Sequence, residues 1–173
     1  MAVHAVAGRA PVVSSRRWAL FAGIAAVVVV ADQVTKAVVA TAVPLGTVVE
    51  IVGDVVRIAP GANSGAIFGL FREQGWLFGL LSVAVLALIV WYHGRSADGG
   101  LILTVALGLL LGGAVGNLID RFRLGYVLDY VDVGVGPLRW FTFNVADSAI
   151  SASIALMLLI AFASGRLAAA MSR

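Results

Sequence analysis

Four long runs of apolar residues divide the chain, each close to the roughly 20 residues that carry an α-helix across a bilayer core. The first runs from Trp18 to about Ala40 and carries Asp32 and Lys36 near its far end. The second covers Gly75 to Tyr92, the third Leu101 to Ile119, and the fourth about Val145 to Ala163. Between the runs the pattern changes. TVVEIV (47–52) and VVRI (55–58) flank Gly53-Asp54, a two-residue hairpin signal, and YVLDYVDV (126–133) also reads as a strand. Pro60, Gly61, Asn63 and Gly65 interrupt the first of these regions, and Gly134, Gly136 and Pro137 end the second. The expected fold is an all-α membrane protein. Four transmembrane helices carry a small extracytoplasmic β-platform built from outer loops 41–74 and 120–144. Residues 16–165 form the membrane domain, 1–15 a flexible cytoplasmic extension, and 166–173 a cytoplasmic tail.

Composition narrows the class. The chain has 173 residues, of which 61% are apolar and 12% charged, against about 45–50% and about 25% in soluble domains. Mean hydropathy is +1.04. A disordered chain is excluded, and a soluble globule fits poorly. Cysteine is absent, which removes disulfides, thiolate metal sites and thiol nucleophiles. His4 and His93 are the two histidines, a thin supply for a metal site or a Ser-His-Asp triad. The net charge is +3 without a basic run, so no nucleic-acid partner is expected.

Charge placement sets the orientation. Arg9, Arg16, Arg17, Arg95, Arg166 and Arg173 lie on the side of the termini, with Asp98 as the acid there. The other side mixes Arg57, Arg72, Arg121, Arg123 and Arg139 with Glu50, Asp54, Glu73, Asp120, Asp129 and Asp132. Basic residues at span ends stay inside, so both termini are expected in the cytoplasm. Ser14-Ser15-Arg16-Arg17 before an apolar run also looks like a twin-arginine export signal. Because the span continues into Asp32 and Lys36 and further spans follow, membrane anchoring is the better reading.

In such a protein the polar residues at depth are informative, since a charge at a span's centre costs about 2.5–3.5 kcal/mol. Asp32 and Lys36 are four apart and share a helix face. They read as an internal ion pair, roughly 21 Å along the helix from Trp18 and towards the outer leaflet. Gly108, Gly112 and Gly116 form a small-residue stripe for close helix packing. The stripe leads into Asn117, Asp120 and Arg121 on one face, of which Asp120 and Arg121 also fit a plain interfacial helix end. Asn144 reads as a helix cap and Asp147 as a first-turn carboxylate favoured by the helix dipole, which taken alone suffices. Asp129, between Leu128 and Tyr130, is expected to be buried near the membrane surface with a raised pKa.

Asp129, Asp147, Asn63, Asn117 and Asn144 all fall at or near the outer interface. Two carboxylates brought into contact at that depth cannot easily both ionise and share a proton, so that one would act as base towards water and the other as acid towards a carbonyl. That is the requirement of an aspartic peptidase, which uses neither Cys, His nor metal. A proton-conducting or transport subunit would need polar groups through the whole depth, yet the second span carries no charge from Gly75 to Tyr92. A structural subunit held by the glycine stripe would leave the clustered Asp and Asn unexplained.

Five blocks occur in order: DQVTK (32–36), NSGAIF (63–68), GGAVGNLIDR (112–121), GYVLDYVDV (125–133) and FNVADS (143–148). Together they resemble the bacterial lipoprotein signal peptidases, or signal peptidase II. The resemblance implies a four-helix aspartic peptidase of the bacterial cytoplasmic membrane. Its substrates would be diacylglyceryl-modified prolipoproteins, cut just before the lipid-bearing cysteine. It implies Asp129 and Asp147 as the catalytic pair, with Asn63, Asn117, Arg121 and Asn144 as the polar residues around it. It makes Asp32 mainly structural, and Lys36 and Asp120 are taken with it. It also implies block by globomycin-type lipopeptides and no cofactor; a lipid-embedded monomer is expected. Gly65-Ala66-Ile67-Phe68 and Asp129-Tyr130-Val131-Asp132 depart from G-A-A-F and D-F-I-D while keeping side-chain class. Which aspartate starts protonated stays open, since the helix start favours ionised Asp147 and burial favours protonated Asp129. The 57–74 stretch is the expected lid, with Gly61, Gly65 and Gly69 as hinges.

Overall fold

A computed structural model describes residues 12–65 and 75–171. Four helices alternate with a small sheet: α1 (Ser15–Ala42), β1 (Val49–Val52), β2 (Val56–Asn63), α2 (Gly75–Arg95), α3 (Gly100–Leu124), β3 (Val127–Val135), β4 (Leu138–Arg139) and α4 (Val145–Met171). By length and apolar content α1, α3 and residues Val145–Ser164 of α4 can cross a membrane, and α2 is apolar over Leu80–Arg95. Large side chains such as Val27, Val30, Val34 and Val38 point outward from α1. That outward apolar face is the arrangement lipid favours.

The glycine stripe makes α3 the central helix. A Cβ at Gly108 would press on Phe21 and Ile24, one at Gly112 on Ala25 and Val28, and one at Gly116 on the Asp32 carboxylate. These contacts climb α1 and α3 in the same direction, so the two helices run parallel. On the other flank a Cβ at Gly113 would strike the Ala146 carbonyl and Ile150 of α4. Phe21, Ile89 and Leu107 form a buried core at one end of the bundle, joined by Trp18, Leu103 and Met157. Arg17 ties that end together by donating to the carbonyls of Ser96, Ala97 and Gly100 and to Thr104 Oγ1. His93 is buried there, stacked on Phe21 with ring centroids 4.2 Å apart.

At the opposite end the sheet has the order β1-β2-β3-β4, antiparallel throughout. Gly53 takes φ 48° in the expected hairpin turn. Strand β2 does not end at Ile58; it runs on through Pro60 to Asn63, with a register shift between Ile58 and Gly61. Proline lacks an N–H, and the irregularity absorbs that loss. The first part of the expected lid is therefore paired strand, while residues 66–74, including Gly69, lie outside the described residues. Asp132 of β3 fastens the sheet, taking bonds from Arg57 Nη2 (2.6 Å) and Arg139 Nε (3.0 Å). The two guanidiniums, Arg139 first, hold its carboxyl below the usual carboxylate range.

Two boundaries differ from expectation. Helix α3 continues past Ile119 to Leu124, so Asp120, Arg121 and Arg123 are helical and the second loop begins only at Gly125. Gly125, at φ 79°, closes the helix with its N–H on the Arg121 carbonyl. Helix α4 continues to Met171 and takes in most of the segment read as a tail.

Candidate active site

Two layers of polar residues meet where α1, α3, α4 and β3 converge. The inner layer centres on Lys36. Its ammonium lies 2.8 Å from Asp32 and 2.8 Å from Asp120 Oδ2, and it donates to Asn117 Oδ1 at 3.1 Å. Asp32, Lys36 and Asp120 are all buried. The expected pair is thus a triad, and Asp120 is no exposed helix end. Its Oδ2 also accepts from Leu128 N, fixing the start of β3. Asp32 Oδ1 accepts from the Ala146 N–H at 3.0 Å, satisfying one of the free donors that open α4.

The outer layer holds the two candidate carboxylates. Asn144 begins α4, and its Oδ1 accepts from Asp147 N at 2.8 Å while Asp147 Oδ2 faces Asn144 N at 3.3 Å. This reciprocal cap places Asp147 in the first turn. Asp147 Oδ1 accepts from Asn117 Nδ2 at 2.8 Å. Asp129 arrives from β3, with Oδ1 accepting from Asn144 Nδ2 (2.8 Å) and Oδ2 from Asn63 Nδ2 (2.9 Å). Asn144 therefore touches both carboxylates. Asp129 and Asp147 line one cavity of about 530 Å³, together with Asn63, Trp140, Phe141 and Ser148.

Asp129 is 3% exposed, and its carboxyl is pushed up to about 6, chiefly by burial. The Asp147 charge adds to the rise, while the Asn63 and Asn144 amides and the Lys36 cation oppose it. No group of three His, Cys, Asp or Glu residues placed to hold a metal ion occurs among the described residues.

Asn63, Asn117, Asn144, Asp129 and Asp147, expected to share one interface, are brought into a single bonded cluster. Arg121 is not part of that bonding. It lies on α3 and donates to the Asn117 carbonyl at 3.3 Å, reaching neither carboxylate among the described residues. Sequence reasoning missed Gln33, whose amide nitrogen lies 3.1 Å from both Asp32 and Asp120 and 3.2 Å from the Gly116 carbonyl. It also missed the Tyr130–Thr35 hydroxyl bond at 2.8 Å between β3 and α1. The signal for Gln33 was an uncharged amide at membrane depth inside an otherwise polar block.

The fold and the site define a multi-pass helical membrane protein with a carboxylate-bearing cavity at one end of its bundle. Residues 24–163 match the family model described as signal peptidase (SPase) II, and the chain belongs to that family, whose members cleave signal peptides from prolipoproteins. Relatives named lipoprotein signal peptidase include that of Bacillus velezensis, 36% identical over 83% of this chain and 94% of its own length. That of Geobacillus kaustophilus is 40% identical over 80% and 90%, and that of Bacillus subtilis 38% identical over 81% and 91%. A solved bacterial membrane enzyme superposes with TM-score 0.76 at 30% identity, covering 84% of this chain and 88% of its own.

Proposed function

We propose that the chain is a metal-independent aspartic endopeptidase that removes signal peptides from diacylglyceryl-modified prolipoproteins, cutting before the lipid-modified cysteine. The observation that carries this reading is the cavity shared by Asp129 and Asp147, with Asn144 bonded to both. All four helices cross the cytoplasmic membrane of a bacterium, both termini face the cytoplasm, and the site lies near the outer face. The protein works as a monomer, and globomycin-type lipopeptides block it.

The substrate enters from the bilayer, where its acyl chains and signal helix already lie. Its scissile peptide unwinds beside the dyad. Asp147, held by Asn117 and the start of α4, is the base that takes a proton from water. Asp129, whose carboxyl burial pushes up to about 6, is the acid that donates to the carbonyl oxygen. The tetrahedral diol collapses as a proton passes to the leaving amine, and the pair titrates as a unit throughout. Asn63 steadies Asp129, while Arg121 holds the substrate backbone.

The test is cleavage of a purified diacylglyceryl prolipoprotein with and without a chelator and globomycin. Cleavage persists in chelator and stops with globomycin. Asp129→Asn and Asp147→Asn fold but lose cleavage by roughly 10²-fold or more, the scale of general acid–base assistance. Near-normal processing by either variant refutes the dyad.

A further inference from the structure

Lys36 looks at first like a purely structural cation, neutralised by Asp32 and Asp120. Its third donor is not accounted for by that role. An ammonium has three N–H donors and no acceptor, and the third is spent on Asn117 Oδ1 at 3.1 Å. Because the lysine can only donate, Asn117 must turn its oxygen inward. Its nitrogen is then left facing Asp147 Oδ1 at 2.8 Å. The same inward oxygen accepts from Asn144 Nδ2 at 3.1 Å, reinforcing an amide whose Oδ1 already caps Asp147 N and whose nitrogen also reaches Asp129 Oδ1 at 2.8 Å. One buried cation thus sets one amide and supports the other, and each presents a donor to one member of the dyad. Were Asn117 reversed, its oxygen would confront the Asp147 carboxylate.

We propose that Lys36 is a positioning residue for the dyad, acting through Asn117 to fix the donors that Asp147 and Asp129 receive. The inference rests on the dyad reading above and extends it to a residue that touches neither carboxylate. The charged and polar groups around the dyad come from every packed element: Lys36 and Asp32 from α1, Asn63 from β2, Asn117, Asp120 and Arg121 from α3, and Asn144 at the start of α4. Lys36 is the cation among them whose charge opposes the rise at Asp129.

The experiment is a double-mutant cycle of Lys36→Met and Asn117→Ala on purified enzyme, with cleavage of diacylglyceryl prolipoprotein followed across pH. Lys36→Met lowers kcat by about tenfold to a hundredfold, part of the roughly 10²–10⁴-fold that positioned acid–base groups supply. KM moves much less. The alkaline limb of kcat/KM, which reports the acid Asp129, shifts to higher pH because a nearby cation is lost. In the Asn117→Ala background the same lysine change costs little further kcat, since the link is already cut. Losses in kcat that multiply in the double variant, or an unmoved alkaline limb, overturn the proposal. Should Lys36→Met fail to fold, Lys36→Met/Asp120→Asn removes one anion with the cation and is read against Asp120→Asn alone. Unfolding of both is the result of a purely structural lysine and also overturns it. Asp129→Asn and Asp147→Asn run alongside. If they stay active the dyad reading itself fails, whereas dead dyad variants with an additive cycle sink only the role of Lys36.

Discussion

At the scale of single residues, Asp129 carries a tension that can be measured apart from catalysis. Its two oxygens accept from Asn63 and Asn144, yet burial still pushes its carboxyl up to about 6. A carboxyl raised in the folded state stabilises that state fully below its ordinary value near 4, and the benefit is lost as pH rises through about 6. The difference is on the order of 2–3 kcal/mol at about 1.4 kcal/mol per unit, and it belongs to the coupled pair. The melting temperature of the detergent-purified enzyme should therefore fall between pH 4 and pH 7. Asp129→Asn should lack that component of the decline, even while it loses cleavage. Superimposable pH dependences of the two proteins would show that the site stores no such strain.

At the scale of elements, the carboxylate of Asp32 does the joining. It pairs with Lys36 on its own helix, faces Gly116 of α3, and accepts the Ala146 N–H of α4. Only glycine at 116 leaves room for it, since a Cβ there would lie 2.7 Å from its Oδ2. Asp32→Ala leaves Lys36 with Asp120 as its one anion, beside Asn117, and strands a buried N–H. Removing one partner of a buried ion pair costs about 3–5 kcal/mol, and the remaining Asp120 contact keeps the loss near the lower figure. The expected result is a marked drop in melting temperature and yield, with turnover per folded molecule reduced far less. A well-folded but inactive Asp32→Ala would reverse that assignment.

The same scale shows what the sequence disclosed. The apolar runs marked all four helices, because a nearly charge-free stretch of that length satisfies its backbone groups in lipid only by coiling into a helix. The glycine spacing disclosed a closely packed face on α3, though not that α3 lies at the centre with a neighbour on each flank. The burial of Asp120 was hidden, because Asp120 and Arg121 look like an interfacial helix end unless one knows that Lys36 of α1 sits opposite. Strand β4, two residues long, is too short to leave a period. The candidate site was legible as residue types at one depth. The linkage was not, since nothing along the chain says that the Asn144 amide bonds to Asp129 while its oxygen caps α4.

At the scale of the whole molecule, the bundle has two chemically different ends, and they predict how it lies in the membrane. One end gathers Arg16, Arg17 and Arg95, with Arg17 clamped onto the turn between α2 and α3. The other carries the sheet, where Arg57 and Arg139 are matched against Asp54 and Asp132. Basic residues close to span ends resist translocation, and Arg16 and Arg17 open α1 while Arg95 ends α2. The clamped end should therefore face the cytoplasm and the sheet the outside. The natural chain has no cysteine, so single substitutions report cleanly. Leu138 is exposed on β4 and Asp98 on the α2–α3 turn. Leu138→Cys should react with a membrane-impermeant thiol reagent in cells or spheroplasts with an intact membrane. Asp98→Cys should react only after permeabilisation. Labelling of Asp98→Cys from outside would invert the protein and put the carboxylate cavity on the wrong side of the membrane for exported lipoproteins.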